Sequence, residues 1–140
     1  MKELVSPRVE LIIQSAALAS QPTFWWGPSG GRVTGEEVAA HLEAAADLME
    51  QRGWDPQLYA PWSGYNLPDA LRETIHDGLG SDDTRFTALR LMETLLGVYT
   101  GSPSIVFPDV WSMHSRRTLD EVLEMLRTTA DLARLVGPRL

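Results

Sequence analysis

The chain has 140 residues, 44% of them apolar, which is enough to bury a hydrophobic core as one domain without metals or disulfides. It contains no cysteine, which excludes disulfide bonds, thiolate metal sites and a cysteine nucleophile. The net charge is −7 and neither half of the chain is basic, so Arg116 and Arg117 are the nearest candidate for a cationic patch on nucleic acid, and anionic membrane surfaces are disfavoured as well.

The first predicted helix covers residues 7–19. Ser6 is a suitable N-cap, Pro7 occupies the favoured first helical position, and apolar residues recur at helical spacing. The segment "LIIQSAALAS" mimics a signal-peptidase site. Glu3 and Glu10 nevertheless cancel the positive charges that a secretion signal needs, so we do not expect export. No apolar run reaches the roughly 18 residues of a membrane helix.

A second helix is predicted over residues 34–53. Thr34 and Glu37 fit a capping box, and Gly53 is well placed to end the helix. The preceding segment "SQPTFWWGPSGGRV" is rich in Gly and Pro and predicts a loop. Its "GPSGGR" part lies before a helix, but it lacks the spacing and the lysine of a phosphate-binding loop. We therefore interpret it as a flexible connector.

Two more helices are predicted in the middle of the chain, over residues 68–79 and 82–99, with the turn "GLGSDD" between them. The second of these is apolar around most of its circumference, which predicts that it is the central and most buried helix. The loop "WDPQLYAPWSGYN" precedes this pair. The segment "GSPSIVFPDVWSMHS" follows it and contains a short strand-like piece at residues 105–107, with no obvious pairing partner.

The fifth predicted helix repeats the second. Residues 118–137 align without gaps to residues 34–53, with a second capping box at Thr118 and Glu121 and the same Ala-Asp-Leu in both copies. Ancient duplication and convergence on the rules of helix formation both explain the repeat. In either case we expect the two helices to flank the fourth one and to pack together through small Ala and Thr faces.

The same residues resemble an uncharacterised helical domain family of actinobacteria and their phages. The resemblance covers residues 34–135 and rests on "HLEAAADLMEQRGW", on a middle helix rich in Ala and Leu, and on "WSMHSRRTLDEVLEMLRTTADLA". The turn of that family usually reads Trp-Asn-Asp, whereas this chain has Trp111-Ser112-Met113, and the family's central cysteine is absent here. The resemblance implies a cytoplasmic protein of an actinobacterium or its phage, and it brings no known activity.

Five tryptophans give the strongest signal in the composition. In a first interpretation, these large aromatic side chains seal the ends of a small helical bundle, and each indole N–H donates to a carbonyl. In a second interpretation they line a groove for a protein partner or a small ligand, since Trp and Tyr are enriched at binding hot spots. The candidate binding residues in that second interpretation are Trp25, Trp26, Trp54, Trp62, Tyr65, Trp111, His114 and Arg116.

The three histidines show no metal-ligand spacing, so we predict neither a metal site nor a cofactor. We expect His41 and His76 to lie at the surface or to be half-buried. His114, near Ser112 and Asp109, is the best candidate for a general base. Proximity in sequence does not make a catalytic triad, however, and no catalytic residue is predicted.

The sequence thus predicts an all-α single-domain bundle of about five helices with long aromatic-rich loops, covering residues 1–140. We interpret it as a non-enzymatic interaction or adaptor protein that binds a protein partner or forms a homodimer. One alternative is a small-molecule-binding or enzymatic domain with a pocket walled by Trp54, Trp62, Tyr65 and Trp111. Another is a DNA-associated regulator, although the acidic turn and the apolar fourth helix suit a DNA groove poorly.

Overall fold

The computed structural model describes residues 7–58, 62–101 and 106–139. These residues form an all-α bundle, as predicted, in which two isolated backbone bridges tie loops together and no strand is present. No helix among them is long and apolar enough to cross a membrane. The helices are α1 (Pro7–Ala19), α2 (Gly35–Arg52), α3 (Leu67–His76), α4 (Asp82–Thr100), α5 (Pro108–Ser112) and α6 (Leu119–Val136), with a short 3-10 turn at Pro22–Trp25.

Both predicted capping boxes are confirmed. The Thr34 hydroxyl accepts from the Glu37 amide at 3.1 Å, and the Glu37 carboxylate accepts from the Thr34 amide at 2.9 Å. Thr118 and Glu121 make the same pair of bonds at 3.2 and 2.9 Å. Each cap stabilises its helix by about 1 kcal/mol, because it satisfies amides that have no partner within the helix. The predicted cap at Ser6 lies outside the described residues.

The most extensive contact between two helices is that of α2 and α6, which pack along each other. Small residues allow the closest approach: the Gly35 amide donates to the Pro138 carbonyl at 3.0 Å, and a Cβ on Gly35 would lie only 2.1 Å from the Ala133 carbonyl oxygen. Beside this contact, Arg134 pairs with Glu36 at 2.8 Å and with Glu43 at 2.6 Å. The prediction that the repeated helices pack on each other through small faces is confirmed.

α4 is central, as predicted, in that it contacts each of the other five helices, but it is not the most buried helix. Leu91, Met92 and Leu95 on this helix are fully buried, but Phe86 and Tyr99 are 43% and 64% exposed. The small residues of α2 and α6 let those two helices approach each other closely. α4 packs against both of them and against α1, α3 and α5, while part of its apolar surface stays in solvent.

Two local predictions in the middle of the chain differ from the structure in detail. Phe107 has extended backbone angles, as expected of the strand-like piece, but Val106 and Phe107 lie outside any strand and Pro108 begins the short helix α5. Ile105 lies outside the described residues. The third helix begins at Leu67 and ends before the turn at Gly78, whose φ of 87° no ordinary side chain favours.

Candidate functional site

Trp25 belongs to the core. It is 1% exposed, and its indole N–H donates to the Ala19 carbonyl at 2.9 Å. Its ring lies 5.8 Å from that of Phe24, which is also buried. Trp25 thus seals the end of α1 in the manner of the first interpretation of the aromatic residues.

The other loop aromatics are more open. Trp62 is 86% exposed and Trp26 is 47% exposed. Trp54 and Tyr65 are half-buried and lie in neighbouring chain segments, where the Tyr65 amide donates to the Gly53 carbonyl at 3.0 Å. Trp62 therefore offers the largest exposed fraction among the large apolar side chains described.

Trp111, on α5, contacts the cationic side chain of Arg117. The guanidinium of Arg117 lies over the Trp111 ring, 3.9 Å from its centroid, and Arg117 Nε donates to the Trp111 carbonyl at 3.0 Å. A guanidinium over an indole face is attracted by the ring quadrupole. Arg117 Nη1 also lies 3.7 Å from a carboxylate oxygen of Glu121. One guanidinium is thus held between an aromatic face and a carboxylate.

A groove of about 550 Å³ opens beside this pair, where α1, α4 and α6 meet. Its floor is apolar and is formed by Leu11, Leu95 and Met125. Tyr99 and Trp111 supply aromatic walls. We call this surface the acidic groove, because its described lining also includes the carboxylates of Asp120, Glu121 and Glu124, together with the guanidinium of Arg117.

Glu121 is a groove carboxylate whose ionised form the structure favours. The pKa of Glu121 lies below its usual value, chiefly because the carboxylate accepts a hydrogen bond from the Thr118 amide, and also because Arg117 is near. Asp120 and Glu124 lie four residues apart on one face of α6, and both are exposed. An apolar floor with an anionic edge suits a ligand that has both apolar and cationic groups.

The predicted aromatic pocket is only partly assembled. Of its four walls, Trp111 lines the acidic groove, whereas Trp54, Trp62 and Tyr65 do not. Those three lie on a loop that contacts the chain after α5, where the Gln57 side-chain amide donates to the Met113 carbonyl at 2.9 Å. The binding roles predicted for these residues stay predictions.

His114 and Arg116 lie exposed on the turn between α5 and α6, outside the groove lining. The Arg116 amide donates to His114 Nδ1 at 3.2 Å, so this ring nitrogen is engaged in holding the turn. The Ser112 hydroxyl donates to the Asp109 carbonyl oxygen at 2.8 Å. The local hydrogen bonds therefore account for these side chains as turn-forming groups, and Ser112 does not face His114 as a nucleophile faces its base.

The expected surface position of His41 is wrong. It is 1% exposed and joins three helices, with Nε2 2.8 Å from the Leu71 carbonyl and Nδ1 2.8 Å from the Thr84 hydroxyl. Because a carbonyl only accepts, Nε2 carries the proton and Thr84 donates to Nδ1 in the neutral ring. Burial is the main cause that lowers the pKa of His41. His76 is exposed, as expected.

The Gly-rich loop before α2 is pinned rather than free, so its interpretation as a flexible connector is wrong. The amide and the hydroxyl of Ser29 donate to the carboxylate of Asp83 at 3.0 and 2.5 Å, and these bonds lower the pKa of Asp83. A Cβ on Gly27 would lie 2.3 Å from Asp83. The loop therefore serves to fasten the start of α4.

The charged groups around Arg134 have partners within the chain. A second cavity, of about 660 Å³, lies at the junction of α2 and α6, but its lining includes Arg134, which is already bonded to Glu36 and Glu43. Those bonds lower the pKa of both glutamates. Within the described ranges, no group of three or more His, Asp or Glu side chains could hold a metal ion.

Comparison with curated proteins and with solved structures gives no significant match. One family model does match, over residues 33–132, a range that includes α2 to α5 and most of α6. α1, which closes one side of the acidic groove through Leu11, lies outside the matched residues. The predicted resemblance to an uncharacterised family is confirmed by this match. The chain belongs to DUF6197, a family of unknown function.

Proposed function

We propose that this protein is a non-enzymatic interaction module that binds a segment of a partner protein in the acidic groove. The observation that carries the proposal is an apolar floor open to solvent between exposed aromatic and charged walls. Aromatic residues dominate the binding energy of protein interfaces, and Tyr99 is 64% exposed here. A groove of about 550 Å³ has room for a few side chains of a partner helix or strand.

Near His114, Nδ1 accepts from a backbone amide and the Ser112 hydroxyl donates to a carbonyl, so these two groups are not paired as base and nucleophile. We further propose that the protein acts in the cytoplasm of an actinobacterium, encoded by the cell or by a phage. That part rests on the sequence motifs shared with the family of actinobacteria and phages, and on the absence of cysteine.

Site-specific photo-crosslinking tests the proposal. A benzophenone amino acid replaces Tyr99 in the groove, and in a matched control it replaces Leu79, which is 51% exposed in the turn between α3 and α4. The proposal predicts a discrete protein adduct from position 99 and none from position 79. An adduct that joins two copies of the chain identifies the homodimer as the form of the interaction.

The same adducts from both positions, or none from position 99, contradict the proposal. Placing the crosslinker at Trp62, which is 86% exposed, adds a direct comparison with the aromatic loop. Adducts from position 62 alone would move the interaction surface from the groove to that loop.

A small-molecule or enzymatic role is the second candidate, and the groove volume favours it, because ligand sites typically span about 300 to 1,000 Å³. It predicts that a metabolite raises the melting temperature of the protein and that bulk introduced at Met125 removes the rise. If a partner protein binds and no metabolite raises the melting temperature, the interaction module is supported over the small-molecule role.

A DNA-associated role has weaker support. The turn before α4 is followed by Asp82 and Asp83, and Asp83 is held by Ser29. Acidic side chains at this position oppose contact with phosphates. A gel-shift measurement at low salt tests this role. Retardation of duplex DNA by the protein would support a DNA-associated function.

A further inference from the structure

We infer that the pairing of α2 with α6 is selected by opposite charges at two sites, which an internal twofold relation makes equivalent. Glu43 and Glu50 lie on α2, and Arg127 and Arg134 lie on α6. The inference is independent of what the acidic groove binds. It draws on three observations: the corresponding positions of the four residues in the repeat, the ion pairs that they form, and the similar burial of the two helices.

The four charged residues occupy corresponding positions in the two copies of the repeat. In the gapless alignment of the copies, Glu43 corresponds to Arg127 and Glu50 corresponds to Arg134. Each copy thus has two charges of one sign, seven residues apart. Because seven residues make about two helical turns, both charges of a copy lie along one side of its helix.

The ion pairs between the two helices show the same correspondence in space. Arg134 donates to both carboxylate oxygens of Glu43, at 2.6 and 2.9 Å, and Arg127 Nη2 donates to Glu50 at 2.9 Å. Replacing each residue by its counterpart in the other copy converts the first pair of positions into the second. The helices run antiparallel, since the start of α2 meets the end of α6. A twofold axis through the middle of such a pair relates the two sites.

The apolar residues of the two helices are also buried alike. Leu42 and its counterpart Leu126 are 0% exposed, and so are Ala46 and its counterpart Ala130. The two helices therefore present similar apolar faces to each other. A helix that paired with a second copy of itself would bury much the same kind of surface, so the apolar residues select the partner only weakly.

The charges distinguish the unlike pair of helices from the two like pairs. If α2 packed in this register against α2 of a second chain, Glu43 would face Glu50. If α6 packed against a second α6, Arg127 would face Arg134. Like charges repel, whereas the α2–α6 pair has opposite charges at both sites. Charges that flank an apolar seam choose partners in coiled coils in the same way. The four residues thus favour pairing within one chain over exchange of helices between chains.

Two double variants of the full chain, identical in composition, test the inference. The mismatched variant, Glu50→Arg with Arg134→Glu, places like charges at both α2–α6 sites and opposite charges in both like pairs. The matched variant, Glu50→Arg with Arg127→Glu, reverses one ion pair and keeps opposite charges at both α2–α6 sites. Both variants retain the net charge of −7. Each also places its new glutamate beside one further carboxylate, Glu36 in the mismatched variant and Asp47 in the matched one.

Thermal unfolding and sedimentation velocity compare the two variants with the wild type. The mismatched variant is expected to melt about 5 to 10 °C below the matched one, or to form a dimer in which like helices pair between chains, because two attractions become repulsions. The matched variant is expected to keep the oligomeric state of the wild type and to melt within about 3 °C of it. Equal melting temperatures and equal oligomeric states in the two variants overturn the inference.

Salt provides a second readout that separates charge from packing. In about 1 M NaCl, where charges are screened beyond about 3 Å, the difference in melting temperature between the variants is expected to fall to less than half. If the mismatched variant does not fold at low salt, folding in about 1 M NaCl supports the inference. A difference that salt leaves unchanged, or a mismatched variant that stays unfolded in salt while the matched one folds, contradicts it.

Discussion

His41 joins three helices through its two ring nitrogens, at 2.8 Å to Leu71 of α3 and 2.8 Å to Thr84 of α4. Burial lowers its pKa below the usual 6.5, while the bond to Leu71 raises it and nearby Arg85 lowers it further. Above pH 6.5 both folded and unfolded chains hold a neutral ring. As the pH falls below that value, the unfolded chain binds a proton that the folded chain resists, so the free energy of unfolding decreases.

We therefore predict that stability declines from pH 6.5 towards pH 5, by at most about 1.4 kcal/mol per pH unit from this group. The variant His41→Gln is expected to be about 1 to 3 kcal/mol less stable at pH 7, because buried hydrogen bonds are lost. Its pH profile is expected to be flatter than that of the wild type. Urea unfolding across this range measures both, with His76→Gln, at an exposed histidine, as the control. Parallel profiles for the wild type and His41→Gln would contradict the account.

Trp25 and Trp62 represent the two interpretations of the aromatic residues. Trp25→Phe is expected to lower the free energy of unfolding by about 1 to 3 kcal/mol, since it removes the bond to Ala19 and leaves a cavity. Trp62→Ala is expected to change it by less than about 0.5 kcal/mol, because this side chain is 86% exposed. Equal losses in denaturant unfolding would show that Trp62 packs against the protein.

At the scale of elements, the contact between α2 and α6 is the one on which the bundle depends. Gly35→Ala is expected to destabilise the protein by about 1 to 3 kcal/mol, because the new methyl group meets the Ala133 carbonyl at 2.1 Å and Gly137 at 2.9 Å. The helices have to move apart, since the obstructing atoms belong to the backbone.

Gly97→Ala is the matched control for this prediction. Gly97 lies within α4, and a Cβ built there meets nothing within 4 Å. Alanine is therefore expected to stabilise the protein by about 0.4 to 1 kcal/mol through its higher helix propensity. Thermal or urea unfolding measures both variants, and a neutral Gly35→Ala would show that the helices are further apart than described.

Helix starts were predictable because capping is local. Thr34, Ser81 and Thr118 bond to amides three residues later, so a few letters of sequence carry the whole interaction. The short helix at Pro108 escaped prediction because five residues are too few to show a periodicity. The apolar surface of α4 predicted burial, but which helices approach most closely was decided by small residues such as Gly35 on other elements.

At the scale of the whole molecule, the acidic groove had no sequence signature. Its floor joins Leu11, Leu95 and Met125 from three helices, so no local motif marks it. Its carboxylates stand in the first two turns of α6, where acidic residues are ordinary because they complement the helix dipole. Of the residues predicted to bind, the groove includes Trp111, while Arg117, beside the predicted Arg116, was missed.

The negative charge of the molecule also has a local consequence. The chain has a net charge of −7, and Arg134 and Arg127 are bonded to glutamates of α2. In the acidic groove, by contrast, the described lining includes more carboxylates than cations. The net charge of −7 thus disfavours acidic partners for the molecule as a whole.

The indole N–H signals of the five tryptophans provide the most direct measurement. A two-dimensional ¹⁵N spectrum is recorded while the partner identified by the position-99 crosslink is added. The account predicts that the Trp111 signal moves in a saturable manner, because this ring lines the groove, while the buried Trp25 signal stays. Movement of the Trp26 or Trp62 signals with Trp111 unchanged would contradict the account and place the binding surface on the exposed loops.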